Sequence, residues 1–355
     1  MIVVLFAACG GSGSQTPASS TAPASSEAPT SASAASPSSQ AEAPVGQEIT
    51  IRVAHQSGEN ENIHMGLVKF KEEIEAANVG IKVEIFPNKQ LISSDRDAIE
   101  ATQLGEIHMT SVAEMQFAPV VSEFYVFNAN YLFSGQQQAK EMLEGAPGDM
   151  LKKAAIDKGA GVRVATFFGG SLRGFFNNVR ELRGPDDFKG IKMRTAENPI
   201  NVAELTALGC IPTPMAGGEL YTGLQQGAIE GYISATVPLI KQGMLEVLKY
   251  VSDTNQTIYI PTILINEELY QSFSPEQLEA YEKAIKTATD YQWDLVMQEE
   301  DTAKETLREE QEKGNVIYTE LTDEERNSIK EVMVAATEDM VLEMCGEEIF
   351  KAFRS

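Results

Sequence analysis

Arg194 stands at the exit of a short strand. A guanidinium there offers a planar fork of donors that matches a carboxylate bidentately, and it stays charged when partly desolvated. Gly184-Pro185-Asp186-Asp187 opens a turn that Gly190 closes, and Ile191 and Met193 then alternate with Lys192 and Arg194 at the two-residue period of a strand. Ile191 and Met193 therefore face a core, and Arg194 points the other way. Asn198-Pro199 reads as an N-cap and first helical residue, with Val202, Leu205 and Leu208 on one face and Gly209 as the stop. In open α/β sheets, ligands collect outside the carboxyl ends of strands, which is where this arginine lies. The other reading of the same residues is a surface arginine paired with a neighbouring acid.

No other group of residues has the spacing of a reaction centre. His55, His64 and His108 are scattered, with no cysteine cluster near them, so a zinc or iron site is disfavoured and no metal is expected. Cys210, in a helix-to-strand link, and Cys345, on a C-terminal helix, read as small buried residues rather than halves of a disulfide. There is no Gly-x-Ser-x-Gly elbow, no candidate triad and no phosphate-binding loop, which argues against a hydrolase and against an energy-coupling ATPase. The expectation is a binding protein without a cofactor, not an enzyme.

The elements that must position Arg194 are legible from Ile49 onward. Ile49, Ile51 and Val53 alternate; Ile63, Leu67, Phe70 and Ile74 follow a helical stripe; Ile81, Val83 and Ile85 alternate again. That is a βαβ unit, hence parallel strands. Ser94 to Asp97 reads as a helix start and Gly105 as its stop, before a strand at Ile107 to Val112. A second α/β set begins at Gly161 and runs past Arg194. Ser274-Pro275-Glu276-Gln277 is a capping box with proline at the first helical position, opening a helix that extends to Gly314. At ~1.5 Å per residue such a helix spans two small domains. Two α/β sets in one chain imply two lobes with a cleft between them.

Twenty-eight basic against fifty-two acidic residues give a formal charge of −24. Nucleic-acid binding and adhesion to anionic lipid are thereby disfavoured, and an anionic ligand needs a local positive pocket. No apolar run approaches the ~20 residues of a spanning helix. At the N-terminus, the apolar run Met1 to Ala8, with Ala7 and Ala8 before Cys9-Gly10, resembles the end of a bacterial lipoprotein signal peptide in which Cys9 becomes the lipidated residue. The run is short, lacks a preceding base and has Phe6 where leucine is more usual, so the recorded start reads as lying inside a longer signal. An apolar N-terminal scrap is the other reading. Residues 10–46 are dominated by Ser, Ala, Pro, Gly and Thr, with Glu27 and Glu42 as the acids and no base. Such a segment cannot bury a core and reads as a disordered tether.

From Phe188 to Gly231 the chain resembles the solute-binding subunits of tripartite ATP-independent (TRAP) transporters, the DctP-like family. The resemblance rests on Lys189-Gly190-Ile191-Lys192-Met193-Arg194, Pro212-Thr213-Pro214-Met215, Glu219-Leu220-Tyr221-Thr222-Gly223-Leu224-Gln225-Gln226-Gly227 and Ile229-Glu230-Gly231. It extends over roughly 49–353 through Val53-Ala54-His55, Phe86-Pro87-Asn88-Lys89-Gln90-Leu91, Tyr131-Leu132-Phe133, Leu172-Arg173-Gly174-Phe175-Phe176 and Tyr259-Ile260-Pro261. It implies a two-lobed periplasmic-binding-protein-like fold, type II-like, with mixed sheets and a long helix bracing both lobes. Lobe I would comprise 47–170 plus 260–300, and lobe II 171–259 plus 301–355. An extracytoplasmic, lipid-anchored receptor that delivers its cargo to membrane permease subunits is implied. A sensor component that presents its closed form to a signalling receptor would have the same fold.

By the same resemblance Arg194 matches the arginine that clamps a ligand carboxylate, and Arg173 a second ligand-contacting arginine. Glu114 falls where several members use a polar or acidic side chain against the far end of the ligand, and Gln56 and Asp95 fall at positions that line the cleft in some members. Ser234 stands where many members have asparagine, Gly217 replaces a frequent aromatic, and Asn130 a frequent proline. With Tyr232 added, these departures imply a reshaped pocket for an organic acid, with a sugar acid in view rather than a C4-dicarboxylate or sialic acid. The implied mechanism is closure of the two lobes on the anion.

Overall fold

The computed structural model describes residues 48–195, 198–215 and 219–354. Cys9, the 10–46 segment and Gly217 lie outside the described residues.

β1 (Ile49–Ala54) buries Ile51 and Val53, and α1 (Asn62–Ala76) buries Ile63, Leu67, Phe70 and Ile74 along one face. β2 (Ile81–Phe86) then runs parallel to β1, Ile49 opposite Ile81. α2 (Asp95–Gln103) starts where the Ser94 hydroxyl accepts from the Asp97 N–H, and β3 (Met109–Ala113) begins two residues later than its hydrophobic pattern, because Ile107 is buried in the turn before it. α3 (Glu114–Phe117), a 3-10 turn at Ser122–Asn128, α4 (Gln136–Glu144) and α5 (Ala146–Asp157) cover this sheet, which β4 (Val162–Phe167) completes on one edge.

The second sheet takes β5 (Leu172–Asn177), β6 (Lys192–Thr195), α6 (Pro199–Ala207), β7 (Ile211–Pro214), α7 (Leu220–Gln225), β8 (Gly231–Ala235), α8 (Thr236–Lys241) and β9 (Tyr250–Ile258). The chain then returns to the first sheet as β10 (Pro261–Asn266), followed by α9 (Glu267–Ser272) and α10 (Pro275–Glu312), before β11 (Ile317–Glu320), α11 (Asp323–Cys345) and α12 (Glu347–Arg354). The sheet orders are β2-β1-β3-β10-β4 and β11-β9-β5-β8-β6-β7, both mixed. The parallel βαβ reading holds for β1, β2 and β3; β10 enters antiparallel because it comes from the other sheet.

Two short connections join the sheets, Phe168–Ser171 from β4 to β5 and Tyr259–Ile260 from β9 to β10. They approach so closely that only glycine fits. A Cβ on Gly170 would lie 1.9 Å from the Tyr259 carbonyl oxygen, and one on Gly169 would lie 2.5 Å from the Trp293 ring. The side-chain amide of Gln292 on α10 brackets Gly169, accepting from its N–H at 2.6 Å and donating to its carbonyl at 2.8 Å. Gly170→Ala must therefore displace backbone, not a flexible side chain, and it is expected to cost about 2 kcal/mol through overpacking. Urea unfolding at constant m reads this as a lower midpoint.

α10 braces both sheets. Ser274 and Gln277 form the reciprocal capping box at its start. Its 38 residues correspond to about 57 Å. Tyr281 and Ile285 pack with Phe70 in the first lobe, while Leu307 packs with Phe176 and Tyr318 in the second. The C-terminal region departs from the expected assignment of 301–355 to the second lobe. α11 begins there, with Ile329 and Met333 beside Phe175 and Phe188, but its end and α12 bury Val341, Cys345, Ile349 and Phe353 in the core of the first sheet. Ile349 and Phe353, four residues apart on one helical face, supply the reason. The Phe353 ring sits 6.1 Å from Phe127 and 6.1 Å from Phe133, and only the first lobe offers that aromatic cluster.

Candidate functional site

A cavity of about 810 Å³ opens between the lobes, walled on one side by the start of α1, by Met115 and by the Gly169–Ser171 connection, and on the other by β6, β8 and α8. Strand register brings the cationic groups of the second lobe together. β8 lies between β5 and β6, setting Arg194 opposite Tyr232 and Arg173 opposite Ala235. The C-terminal end of β8, Ile233 to Ala235, meets the cavity edge, while Tyr232 before it is buried at 4% exposure.

Arg194 lines the cavity half-buried, and its Nε donates to the Met215 carbonyl at 2.9 Å. Burial holds its guanidinium below the usual range, with the neighbouring Tyr232 working in the other direction. Arg173 also lines the cavity, its guanidinium 5.7 Å from the centre of the Tyr259 ring. Among the described residues neither arginine is within ion-pair distance of a carboxylate. Burial pushes the Tyr232 phenol up to about 12, so it stays neutral beside Arg194.

The remaining sequence-expected residues sit behind the wall. Glu114 is 1% exposed, and its Oε2 accepts from the Ile260 N–H at 3.2 Å, within the connection between the sheets. Its neighbour Met115 reaches the cavity instead. Burial raises the Glu114 carboxyl, the Arg173 charge lowers it, and the Asp95 charge adds to the rise. Gln56 donates to Asp95 Oδ1 at 2.5 Å, and neither is on the cavity wall. Asp95, at the first position of α2, is raised by burial against the opposing Gln56 hydrogen bond. Arg194, Arg173 and Ser234 thus meet at the cavity, while Glu114, Gln56, Asp95 and Tyr232 surround it one layer out.

Sequence reasoning passed over Asn60, Asn62, Asn201, Lys241 and Gln242, which also line the wall. Asn62 and Lys241 are joined through Glu299 of α10, which accepts from Asn62 Nδ2 at 2.7 Å and from Lys241 Nζ at 2.8 Å. One carboxylate so links the first lobe, the bracing helix and the second lobe at the cavity lip. The signal available in the sequence was slight: Asn62 opens the helix that follows the loop after β1, and Lys241 closes one. Among the described residues, three cations, Arg173, Arg194 and Lys241, stand against Glu61 on this wall, in a chain of charge −24.

Among the described residues no group of three His, Cys, Asp or Glu side chains could hold a metal. His55 Nε2 and His64 Nδ1 are 3.1 Å apart, and burial, with the His64 charge, lowers His55 to about 4, which keeps it neutral. Cys210 and Cys345 are free and buried, their thiols pushed up by burial to about 12 and about 11. No helix among the described residues is long and apolar enough to cross a membrane.

Two α/β lobes, joined by crossing strands and a bracing helix around a cavity, define an extracytoplasmic solute-binding protein. Residues 53–343 match the profile of DctP, the bacterial extracellular solute-binding protein family 7, and the chain belongs to that family. It is 29% identical over 313 residues to the C4-dicarboxylate-binding periplasmic protein DctP of Rhodobacter capsulatus, covering 88% of this chain and 92% of the relative. Among solved structures, a TRAP periplasmic solute-binding protein from Ochrobactrum anthropi, with its C-terminus bound in the ligand pocket, superposes with a TM-score of 0.80. That pair is 25% identical and covers 87% of this chain and 95% of the other. A TRAP solute-binding protein from Sulfitobacter sp. NAS-14.1, bound to β-D-galacturonate, gives a TM-score of 0.74 at 26% identity, covering 86% and 99%. The resemblance drawn from the arginine strand is therefore shown at the level of the family.

Proposed function

We propose that this protein captures an organic-acid anion in the interlobe cavity and delivers it to TRAP-type permease subunits, without catalysing a reaction. The observation that carries the reading is the pair of cavity arginines, Arg194 and Arg173, neither within ion-pair distance of a carboxylate among the described residues. A buried or half-buried cation without a counter-ion is costly unless a ligand supplies the charge. In this reading Arg194 grips the carboxylate, Arg173 adds a second donor group, and Ser234 offers a hydroxyl. Tyr232 buttresses Arg194 from beneath. Glu114 maintains the interlobe connection and the field around Arg173, while Gln56 and Asp95 brace the loop after β1.

The relatives named for C4-dicarboxylate and found with galacturonate support an acid as ligand. The wall supports an acid with both polar and aliphatic surface, because Asn60, Asn62 and Asn201 alternate with Ile63, Met115 and Val237. Lobe I, about 47–170 with 260–300 and the α12 end, would close on lobe II, the remainder, by bending at Phe168–Ser171 and Tyr259–Ile260. Lipidation at Cys9, followed by the 10–46 tether, would hold the receptor near its membrane partner.

A thermal-shift panel of C4-dicarboxylates, 2-oxoacids, uronates and aldonates tests the reading, since a ligand bound to the native state raises Tm by linkage. A shift of several degrees with one acid class is expected. The same Tm across all four classes, in protein first unfolded and refolded to strip cargo, would remove the organic-acid reading.

A further inference from the structure

A second cavity, about 430 Å³, lies between the lobes and among the described residues shares no lining residue with the first. Its walls come from three places: the Tyr131–Ser134 loop with Arg354 of α12, Asn255 of β9, and the first two turns of α11 with Arg326 and Lys330. Leu132, Phe133 and Phe353 root one wall in the core of the first sheet, while Ile329 and Met333 root the other in the second. In a chain with almost two acids per base, three cations converge on this wall against one acid, Asp323, among the described residues.

Lys330 and Arg354 are weakly neutralised, while Arg326 also faces the buried Asp253 carboxyl. Lys330 is half-buried over the Tyr131 ring, 5.9 Å from its centre, and among the described residues no carboxylate is within ion-pair distance of it. Arg326 meets Asp323 only at 3.3 Å, and that aspartate side chain is 98% exposed; Arg354 meets Glu338 at 3.5 Å. Exposed pairs of this kind contribute little. The guanidinium groups are instead held by backbone carbonyls. Arg354 donates to Asn130 O and Tyr131 O at 3.2 and 3.1 Å, and Arg326 to Asp253 O and Leu321 O at 3.3 Å each. Carbonyls orient a cation without cancelling its charge. The loop they pin is also conformationally committed, with Tyr131 and Asn255 in the left-handed region at φ 52° and 53° and the Tyr131 N–H bound to Gln256 O at 2.6 Å. A bulky side chain at positive φ is uncommon and persists only where its surroundings fix it.

We propose that this cavity is a second anion site, separate from the cleft, which takes a small oxyanion, carboxylate or sulfate, between Lys330, Arg326 and Arg354. Neutral donors on the same wall, Gln138 and Asn255, supply hydrogen bonds around the charge. Because the walls belong to both lobes, the anion binds unequally at different lobe angles, and occupancy here changes the affinity of the cleft by the same factor with which cleft ligand changes it.

Calorimetric titration of the full chain with citrate, and separately with sulfate, against chloride at matched ionic strength, tests the site in wild type, Arg194→Ala, Lys330→Ala and Lys330→Arg. Citrate binding is expected to persist in Arg194→Ala, to weaken about tenfold in Lys330→Ala, the loss of one charge-assisted hydrogen bond, and to recover most of its strength in Lys330→Arg. Stronger binding of citrate than of sulfate assigns the site to organic acids, and the reverse assigns it to inorganic oxyanions; either supports the site. Binding that disappears in Arg194→Ala and is unchanged in Lys330→Ala belongs to the cleft alone and overturns the proposal, as does the absence of any anion effect beyond chloride. Circular dichroism of Lys330→Ala guards against misfolding, and Arg354→Lys, which retains charge on another element, gives an independent reading.

Discussion

Arg194→Ala is expected to weaken binding of the cognate acid by about 10²–10³-fold while leaving the ligand-free protein as stable as wild type, or slightly more so. Removing one partner of a desolvated, charge-assisted pair typically costs 2–5 kcal/mol, because the other charge is then buried without compensation. The second half of the expectation follows from what Arg194 lacks. It is half-buried, its guanidinium is depressed by desolvation, and among the described residues no carboxylate pairs with it. In the empty protein it is therefore a cost that alanine relieves, set against the hydrogen bond to Met215 O. Arg194→Lys should fall between wild type and alanine, since the ammonium retains the charge but not the planar fork. A surface arginine holding the fold together would give the opposite pattern, a lowered Tm with unchanged affinity. Calorimetric Kd and thermal unfolding of the same three proteins distinguish the two, and wild-type affinity in Arg194→Ala would sink the clamp.

What the sequence made legible here was local. The alternation of Ile191 and Met193 with Arg194 is the strand Lys192–Thr195, Asn198 caps the next helix by accepting from Ile200 N–H, and Ser274-Pro275 opens a helix of nearly the expected length. Each depends on neighbours within four residues. Glu114 shows where that reach ends. β3 runs to Ala113, still extended, and the helix that begins at Glu114 rolls its carboxylate inward to Ile260, 146 residues away, while Met115 takes the cavity. A pattern of two cannot anticipate a change of period one residue before the site. Lys241 and Asn62 were missed for a related reason: what makes them part of the cavity lip is Glu299, on a helix that enters from elsewhere in the chain. The amphipathic face of Ile349 and Phe353 is plain in the sequence, yet nothing local says that it docks on Phe127 and Phe133 rather than on the second sheet.

Glu300→Gln should stabilise the protein by about 3 kcal/mol above neutral pH and by almost nothing near pH 4.5. Glu300 sits on α10 at 2% exposure, with both carboxyl oxygens buried and only the Ser171 side chain and the Leu172 backbone near enough to favour its charge. Burial raises its pKa from an ordinary 4.5 to about 7, against Lys304 and with help from the Asp253 charge. The sign follows from proton uptake. Below about pH 4.5 the group is protonated folded and unfolded alike and contributes no penalty. As pH rises toward 7 the unfolded chain releases this proton while the folded chain keeps it, so stability falls by about 1.4 kcal/mol per pH unit until the folded carboxyl ionises as well. Glutamine keeps the shape and carries no such penalty. Buried Glu204, also raised to about 7, titrates in the same window and leaves the variant a residual slope. Urea unfolding from pH 5 to 8 should therefore give curves for wild type and Glu300→Gln that draw together at the acid end, separate up to about pH 7 and run parallel from there to pH 8. A constant separation across that range would mean that glutamine acts through packing and not through the charge. The location gives the result functional weight, because α10 touches both lobes here and Ser171, beside Glu300, lines the cleft. Any lobe movement that lets water reach this carboxyl must lower its pKa, so the same proton that stabilises the fold also resists that movement.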